Sequence, residues 1–337
     1  MQAAAFGDPG TIEILDAPPP ELPPGWVRLA VGSVGICGTD LHMLHGVIGD
    51  TRGIRPGHEV GGVIESVGDG VSLQTGTPVA IEPTHGCGEC LHCQSGFPNR
   101  CVSLTLYGVT TNGGMADLLA VPAHCVHPLS GGITMTMAAL CEPLAVCVRA
   151  MRLANVGPGD RVAVLGAGSI GLIAIVAARA AGAKDVYITA RHEHQREFAR
   201  ALGATEVFAD GTSAATALGE RLVDVVIETV GGEADTLVEA IHLARPGGTI
   251  AVLGAFTGAP PIPALMVMAK ELHLVGSSCY AHDTPEGDFA LATQLAQRHQ
   301  DDLVALVTHT FALDQVAAAF ATAEDKGTGS IKIHVRP

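Results

Sequence analysis

The pattern of hydrophobic and polar positions divides the chain into two parts. Up to about residue 145, short β-rich runs such as 26–31, 60–67 and 77–81 follow one another closely and end at Gly, Pro or Asp. Proline cannot donate to a β-ladder, so the proline-rich stretches 18–20 and 23–24 are predicted to be extended or turn. Strands at such close intervals predict a compact β-barrel or sandwich with long loops.

Beyond about residue 153, strands and helices alternate, with Gly or Pro at the joints. The predicted elements of this part are, in order, 161–165, 169–181, 185–190, 194–202, 207–209, 223–229, 234–244 and 249–253. The alternation is typical of a doubly wound parallel sheet, and the Pro-Gly-Gly segment 246–248 is interpreted as a helix stop. After residue 282 the pattern predicts two helices and a strand that returns to the first part, at 288–298, 313–323 and 331–335.

Length, composition and charge limit the class of protein. With 337 residues, 47% of them hydrophobic, the chain is long enough for two domains with cores of their own. Its formal net charge of −15 repels phosphate backbones and anionic lipids, which argues against nucleic-acid and membrane partners. The start does not resemble a signal peptide, and the longest apolar stretch, 171–178, is far too short to span a membrane. A cytoplasmic location is therefore expected.

A glycine-rich turn lies between a predicted strand and a predicted helix. It has the form G-x-G-x-x-G, with Gly166, Gly168 and Gly171 as its glycines and Ser169 and Ile170 opening the helix. The first glycine permits the tight turn, the second lets backbone amides approach a pyrophosphate, and the third allows close helix–strand packing. This position predicts dinucleotide binding at the helix N-terminus, and the alternative is a structural turn without a ligand.

The end of the second predicted strand indicates which dinucleotide binds. An NAD site usually has an acidic residue about 20 residues beyond the turn, where it accepts a hydrogen bond from the ribose. Here Ala190 and Arg191 occupy that place, so a 2′-phosphate meets no like charge and can pair with a guanidinium. We therefore predict a preference for NADP over NAD. The alternative is that Arg191 is a solvated residue and that Glu193 binds the ribose.

Four of the nine cysteines fall within fifteen residues, which indicates a metal rather than disulfides in a reducing compartment. These four are Cys87, Cys90, Cys93 and Cys101. Four thiolates on one short loop predict a closed, structural zinc site with no position left for a substrate. The alternatives are an iron–sulfur cluster or four unrelated buried cysteines, and the neighbouring His85 and His92 are interpreted as bystanders.

A second set of candidate ligands is dispersed along the chain. Cys37 lies in GICGTDLH, His58 and Glu59 begin HEVGG, and Glu142 lies in LCEPL. A thiolate, an imidazole and a carboxylate make an open three-ligand zinc site whose fourth position takes water or substrate. Taken singly, these residues would more often be a buried cysteine, a core histidine and a surface glutamate. Together, and beside a dinucleotide turn, they predict a catalytic centre.

Five ordered motifs give the chain a specific family resemblance. They are CGTDLH, GHEVGGVIESVG, the four-cysteine loop, LCEPLAV and VLGAGSIG. Over nearly its whole length the chain resembles the zinc-dependent medium-chain dehydrogenases, in particular the sorbitol and butanediol dehydrogenase branch. The resemblance implies an α/β fold with a GroES-like β-barrel catalytic domain (1–147 and 283–337) and an inserted Rossmann doubly wound parallel-sheet domain (148–282). It also implies a homo-dimer or homo-tetramer.

The same resemblance assigns roles to the dispersed set. It implies that Cys37 and His58 are ligands of a catalytic zinc. It also implies that Glu59 and Glu142 are the two carboxylates of the site, one or both bound directly or through water at different stages. Cys141 is an alternative ligand, although the family register puts Glu142 in that place.

The predicted reaction moves a hydride between NADP(H) and an alcohol or ketone, with zinc as the Lewis acid at the reacting oxygen. Thr39 lies two residues after Cys37, so its hydroxyl is placed to take the proton, and His42 is placed to pass it outward. Asp40 is predicted to orient His58 and to fix its tautomer. The alternative for His42 is an ordinary surface histidine.

The resemblance weakens at the substrate pocket. The polyol branch commonly has Tyr where this chain has Met43, and Arg where it has Cys279, whereas Tyr280 is retained. These residues imply a more apolar pocket, which favours a secondary alcohol, a ketone or a vicinal diol over a highly hydroxylated polyol. Two rival hypotheses are a zinc-free quinone or enoyl reductase and a non-catalytic NADPH-binding protein on the same fold.

Overall fold

The computed structural model describes residues 1–130 and 132–337 and divides them into two compact units. Unit 1 comprises Met1–Glu142 and Ala281–Pro337, and unit 2 comprises Pro143–Tyr280. The division falls five residues before the first predicted domain boundary and two residues before the second. The first difference arises because one continuous helix, Met135–Leu153, runs through the boundary and offers no loop at which to place it.

Seventeen strands form within the described residues. In chain order they are β1 (Gln2–Phe6), β2 (Ile12–Asp16), β3 (Trp26–Gly35), β4 (Glu59–Val67), β5 (Pro78–Ile81), β6 (Thr84–His85), β7 (Thr105–Leu106), β8 (Leu118–Pro122), β9 (Val126–Pro128), β10 (Arg161–Leu165), β11 (Asp185–Thr189), β12 (Glu206–Phe208), β13 (Val223–Glu228), β14 (Ala244–Val252), β15 (His273–Gly276), β16 (Val307–Ala312) and β17 (Lys332–Arg336). Strands β10 to β15 belong to unit 2, and the others belong to unit 1.

The described residues also form eleven α-helices. In chain order they are α1 (Gly38–Leu44), α2 (Leu91–Gln94), α3 (Met135–Leu153), α4 (Ser169–Ala180), α5 (Glu193–Ala201), α6 (Gly211–Leu218), α7 (Thr236–Leu243), α8 (Ala264–Ala269), α9 (Asp288–Arg298), α10 (Gln300–Val304) and α11 (Val316–Glu324). None of these helices combines the length and the apolar character that crossing a lipid bilayer requires.

Unit 1 is built on a seven-stranded sheet. Its order is β16-β17-β3-β4-β5-β9, and β8 also pairs with β3. The ten-residue strand β3 is antiparallel to β4, β8 and β17. The last strand of the chain therefore returns to the first part, where it lies beside β3. Two small sheets, β1-β2 and β6-β7, complete the strands of this unit.

The core of unit 1 follows from the alternation along its strands. Val27, Leu29 and Val31 of β3 are buried, and so are Val60 and Ile64 of β4. Because successive side chains of a strand point to opposite faces, this period of two sends one set of residues into the core. All five belong to a single hydrophobic cluster, which fixes the register of β3 against β4.

Unit 2 is a six-stranded parallel sheet in the order β12-β11-β10-β13-β14-β15. Starting from β10, successive strands of the chain are added first on one side (β11, β12) and then on the other (β13, β14, β15). This is the doubly wound arrangement of a dinucleotide-binding fold. Strands β10 and β13 are buried along most of their length, as expected for the central strands of a parallel sheet. The predicted α/β class and the doubly wound sheet are therefore confirmed.

Two elements differ from the sequence pattern. The pattern does not predict the 19-residue helix α3, because Pro143 within it signals an interruption. Strand β14 begins at Ala244, immediately after α7, and so includes the Pro-Gly-Gly segment 246–248. The interpretation of this segment as the helix stop is wrong, since α7 has already ended at Leu243. A register shift between β13 and β14 accommodates the irregular segment.

Two glycines shape the turn between β10 and α4. Gly166 has a φ of +98°, which an L side chain rarely adopts. A Cβ atom on Gly171 would lie 1.8 Å from the carbonyl oxygen of Gly166, so only glycine lets the helix start this close to the strand. By contrast, a Cβ atom on Gly168 would meet no atom within 4 Å. The turn thus combines a tightly packed third glycine with an open second one.

Alanine substitutions at Gly171 and Gly168 compare a tightly packed position with an open one. We expect Gly171→Ala to lower the free energy of unfolding by about 1–3 kcal/mol, because the methyl group overpacks backbone. The matched variant Gly168→Ala should change it by no more than about 0.5 kcal/mol, since its φ of −75° is ordinary and the space is open. Urea unfolding followed by circular dichroism measures both, and equal losses would contradict this account of the turn.

Candidate catalytic centre and dinucleotide turn

Three candidate ligands converge in unit 1. One ligand atom each of Cys37, His58 and Glu59 lies within 4.8 Å of the other two. The sheet register explains this proximity, because β3 ends at Gly35 directly opposite Glu59, the first residue of β4. Cys37 follows β3 as the N-cap residue of α1, and His58 immediately precedes β4. Two neighbouring strand ends therefore carry all three side chains.

A third strand supplies a counter-ion at the same place. Lys332, the first residue of β17, is 2% exposed. Its ammonium group donates hydrogen bonds to Oε1 of Glu59 and, at 3.0 Å, to the carbonyl oxygen of Ile36. Glu59 is fully buried, and its other oxygen, Oε2, has no hydrogen-bond partner among the described residues. An unsatisfied carboxylate oxygen in the interior is costly, and a bound cation would satisfy it.

His58 faces a buried carboxylate. Its Nδ1 atom lies 3.6 Å from Oδ1 of Asp40, and Oδ2 of Asp40 accepts a hydrogen bond of 2.8 Å from the backbone N–H of Cys37. Asp40 is thus in a position from which a carboxylate orients a ligating imidazole. Burial opposes protonation of His58, but the Asp40 carboxylate and the Cys37 side chain outweigh it and raise the pKa of the imidazole.

Glu142 is buried near the same group but outside its closest three members. It lies in α3, immediately before Pro143, and its negative charge favours the protonated forms of His58 and Lys332. Glu59 is the carboxylate that stands within 4.8 Å of Cys37 and His58. Sulfur, nitrogen and carboxylate oxygen are the donors that zinc prefers in catalytic sites, so the group fits that ion.

Helix α1 carries the two residues predicted to move the proton. Thr39 and His42 lie three residues apart on one face of the helix, and both are half-buried. The Thr39 hydroxyl oxygen is 3.8 Å from Sγ of Cys37, so it stands beside the candidate ligand. The helix thus offers a hydroxyl at the centre and an imidazole about one turn further along.

The four cysteines of the loop also come together. Each sulfur lies within 4.8 Å of the other three, and Sγ of Cys90 is 3.6 Å from that of Cys93 and 3.9 Å from that of Cys101. Sulfurs about 2.3 Å from a tetrahedral zinc ion would be about 3.8 Å apart, so the set has the dimensions of a closed site. The backbone N–H groups of Cys87 and Ser103 donate to Sγ of Cys101, which favours its thiolate form.

The glycine turn of unit 2 leaves room for a ligand at the start of α4. Gly168 is the N-cap residue and provides no side chain to cap the helix. Ser169 and Ile170 begin the helix and are half-buried. Because the first amides of a helix and its dipole attract an anion, the open space at Gly168 fits a pyrophosphate. Thr189, at the tip of β11, accepts a hydrogen bond of 2.9 Å from the N–H of Gly166 and ties the two strand ends together.

The end of β11 shows the residues predicted to select the cofactor. Ala190 is buried, and Arg191 is exposed at the start of the next segment. Glu193, the alternative ribose ligand, forms an ion pair of 3.0 Å with Arg200 on the same helix. The acidic residue closest in sequence to the strand tip is therefore already engaged along α5.

Comparison with known proteins shows to which family these features belong. Residues 23–131 match the family model of the alcohol dehydrogenase GroES-like domain, and residues 169–297 match that of the zinc-binding dehydrogenases. The chain is 34% identical over 313 residues to 2-dehydro-3-deoxy-L-galactonate 5-dehydrogenase of Pseudoalteromonas atlantica, with 90% of each chain covered. It is 31% identical over 332 residues to L-idonate 5-dehydrogenase of Vitis vinifera, with 93% of this chain and 88% of the relative covered.

This chain belongs to the zinc-dependent medium-chain dehydrogenases. The resemblance inferred from its motifs is confirmed, as is the fold of a GroES-like domain with a Rossmann-type domain. A solved structure with a similar fold is a putative zinc-binding dehydrogenase of Sinorhizobium meliloti bound to NADP. It is 29% identical, with a TM-score of 0.91, and 100% of this chain and 99% of that chain are covered. The predicted enzyme class, an NAD(P)-dependent oxidoreductase acting on CH–OH groups, is confirmed.

The residues predicted for the substrate pocket of this medium-chain dehydrogenase lie in different settings. Met43 is 1% exposed and packs in the hydrophobic core of unit 1, although it also lines a cavity of that unit. It points about 100° away from His42 around α1, and its place in a substrate pocket stays a prediction. Cys279 and Tyr280 lie beyond β15 in unit 2, where Cys279 has a φ of +50° and Tyr280 is fully buried.

Sequence reasoning missed two charged residues of the dehydrogenase. One is Lys332, and the other is Glu228, which is fully buried at the end of β13. Oε1 of Glu228 accepts hydrogen bonds from the backbone N–H groups of Val230 and Gly231 and from the hydroxyl of Thr236, so it shapes the turn beyond β13. A charged residue within an otherwise buried strand is the sequence signal that both share.

Removing the counter-ion should reveal the cost of burying Glu59. We expect Lys332→Met to lower the free energy of unfolding by about 3–5 kcal/mol, because it leaves a buried carboxylate without its partner. Adding Glu59→Gln should recover part of that loss, since the unpaired charge is then gone. The control is Arg336→Met at the exposed end of the same strand, with a loss of no more than about 1 kcal/mol. Urea unfolding of the four proteins provides the measurement, and a double variant no more stable than Lys332→Met would contradict the pairing.

Proposed function

We propose that the enzyme transfers a hydride between NADP(H) and a secondary alcohol, diol or polyol, interconverting it with the corresponding ketone. The observation that supports this most directly is the proximity of Cys37, His58 and Glu59 within 4.8 Å. An open set of three ligands suits a catalytic zinc, because a position is left for the substrate oxygen. A zinc-free quinone or enoyl reductase would have no use for these ligands.

The chain's own residues would hold the ion and prepare the substrate. A zinc ion here would supply a Lewis acid for the oxygen of the alcohol or ketone. Cys37, His58 and Glu59 would bind it, and Glu142 would serve as the second carboxylate of the centre. Lys332 balances the charge of Glu59, so the binding site keeps one compensated and one open carboxylate oxygen.

Helix α1 provides the route for the proton in this proposal. The Thr39 hydroxyl, beside Cys37, accepts the proton of the substrate hydroxyl as it gives up its own toward His42, which passes a proton to solvent. Histidine suits this role because its ordinary pKa is close to neutrality. In the reverse direction the same two groups deliver the proton to the ketone oxygen.

We assign a second, structural zinc to the four-cysteine loop. The sulfur–sulfur distances of 3.6 and 3.9 Å match one tetrahedral ion. An iron–sulfur cluster contains several iron atoms and would hold its cysteines further apart. Four thiolates leave no position for a substrate, so this ion would order the loop and take no part in the chemistry.

NADP is the proposed cofactor, bound at the glycine turn of unit 2. Arg191 is exposed at the strand tip, where Ala190 carries no charge, and a second guanidinium, that of Arg196, donates a hydrogen bond of 3.1 Å to the carbonyl oxygen of Ala190. The exposed ion pair of Glu193 with Arg200 reduces the repulsion between Glu193 and a 2′-phosphate. The similar dehydrogenase of Sinorhizobium meliloti, which was solved with NADP, adds support. A homo-dimer or homo-tetramer stays a prediction.

The proposed substrate class rests on the relatives and on the burial of Met43. Two relatives are named as 5-dehydrogenases of a galactonate derivative and of idonate, which supports a secondary hydroxyl in a polyhydroxylated chain. Met43 lies in the core, which removes part of the argument for an apolar pocket. We therefore place vicinal diols and polyols beside simple secondary alcohols as substrates.

Removing the relay hydroxyl should slow the chemistry without removing the metal. We expect Thr39→Val to reduce kcat by about 10²–10⁴-fold, which is the usual contribution of a positioned proton acceptor. His42→Ala should cause a smaller loss that exogenous buffer base partly restores. Zinc content of both variants should equal that of the wild type, because neither residue is a ligand. Steady-state kinetics and elemental analysis test this, and an unchanged kcat for Thr39→Val would contradict the relay.

A substrate panel run with both cofactors tests the proposed function. The wild type should oxidise diols, polyols or secondary alcohols, reduce the matching ketones, and prefer NADP(H). Arg191→Ala should raise the KM for NADP(H) by about 10–100-fold and leave the KM for NAD(H) unchanged, because only the 2′-phosphate loses a charge-assisted bond. Glu193→Gln is the control and should not weaken NADP(H) binding.

Three outcomes would contradict this function. A clear preference of the wild type for NAD(H) would overturn the cofactor assignment. Turnover of none of the alcohols or ketones would overturn the substrate class. Protein that contains no zinc but reduces quinones or enones would favour the zinc-free reductase hypothesis.

A further inference from the structure

A third group of metal-ligating side chains shares no residue with the two candidate zinc sites. It consists of His85, His124 and Cys125, and one ligand atom of each lies within 4.8 Å of the other two. His85 ends β6, and the other two residues form part of the short 3₁₀ turn Ala123–Cys125 before β9. The three side chains come from segments about forty positions apart, so chain proximity alone does not explain the group.

The sheet of unit 1 holds these two segments together. Strands β5 and β9 pair with Ile81 opposite Val126. Directly beyond that pair, the backbone N–H of Glu82 donates to the carbonyl oxygen of Cys125 at 2.9 Å. The position of the cysteine relative to β6 is therefore fixed by backbone pairing, which gives the group a rigid base.

The distances within the group are close to those of a coordinated ion. Nδ1 of His85 and Nε2 of His124 are 2.8 Å apart. Two nitrogens bound to one tetrahedral zinc ion would be about 3.3 Å apart, so a small rotation of the exposed imidazole of His124 suffices. Cys125 is 1% exposed and lies below, whereas the two histidines are more accessible, so an ion can enter from the imidazole side.

A buried carboxylate next to the group supplies negative charge. Glu82 is 1% exposed and accepts hydrogen bonds from Nε2 of His127 at 2.9 Å and from Nε2 of His282 at 2.7 Å. Burial raises the pKa of the Cys125 thiol, and the charge of Glu82 also favours the protonated forms of both Cys125 and His124, so a bound cation has to displace the thiol proton. The two further histidines hold the carboxylate in place, and its negative charge would favour a cation at the neighbouring ligands.

We propose that His85, His124 and Cys125 form a third metal site that binds a zinc-type divalent cation, with its fourth position open to water. One thiolate and two imidazoles are ligands for zinc and similar borderline ions and do not suit magnesium or calcium. Binding releases the Cys125 thiol proton to solvent. In the His85–His124 hydrogen bond, one of the two facing ring nitrogens carries a proton. Because a ligating nitrogen must be unprotonated, that proton has to move to the other nitrogen of the same ring when the ion binds.

Metal content of the purified enzyme after equilibrium dialysis against micromolar zinc tests this site. The His124→Gln variant should hold one equivalent of zinc per chain fewer than the wild type. His124 is exposed, so this change leaves the core intact. His85→Gln should give the same loss, and His299→Gln, at a half-exposed histidine elsewhere in unit 1, should give none. Equal zinc content in wild type and both site variants would overturn the proposal.

A cadmium-113 NMR spectrum of the fully exchanged enzyme identifies which equivalent is lost. We expect the resonance of the four-sulfur site to persist in His124→Gln while a resonance of a one-sulfur site disappears. Loss of the four-sulfur resonance instead would show that the variant disturbs the cysteine loop and would overturn the proposal. The test depends on the difference in zinc content between the wild type and each variant, and not on the total zinc content. Its outcome would therefore be unchanged if the proposed catalytic site bound no zinc.

Discussion

The proposed catalytic centre depends on compensating charges, because the protein interior would strongly destabilise either charge alone. Glu59 and Lys332 are both buried, and each would be strongly destabilising without the other. Their contact requires β17 to pair with the end of β3, and the pairing of β3 with β4 brings Cys37 beside His58. The lysine neutralises the carboxylate from one side only. The oxygen without a partner indicates where an additional positive charge would be stabilising.

The metal-ligating groups of unit 1 are built on different principles. The four cysteines come from one loop near the surface, where Cys87 is exposed, so little but an ion would order them. The candidate catalytic group is set by the sheet, with His58 and Glu59 buried and Cys37 half-buried at strand ends, so its shape exists before any ion binds. The group of His85, His124 and Cys125 combines both features, because a buried cysteine fixed by the sheet lies beside more exposed imidazoles. The burial of the ligands therefore distinguishes two kinds of candidate site. At the exposed cysteine loop a bound ion would order the chain, whereas at the sheet the folded chain would position the ion.

Sequence patterns predicted the local features well and the distant ones poorly. The strand 161–165 and the helix 288–298 have the predicted bounds, because period and turn residues are local signals. Helix α3 was not predicted, because its proline is tolerated within a buried helix. The counter-ion of Glu59 lies 273 positions away, and no local pattern relates two residues so far apart. For Met43, the resemblance assigns a position in the chain but not the direction of the side chain, which is almost wholly buried.

The insertion of unit 2 between Glu59 and Lys332 has a consequence for the order of folding. The inserted sheet has all its strands within one continuous segment, so it can form while the surrounding unit is incomplete. The centre of unit 1, by contrast, cannot close until its last strand, which follows the inserted segment in the chain, has been synthesised. During translation Glu59 therefore has no native partner until β17 has been synthesised, and its carboxylate stays hydrated in the incomplete unit until then.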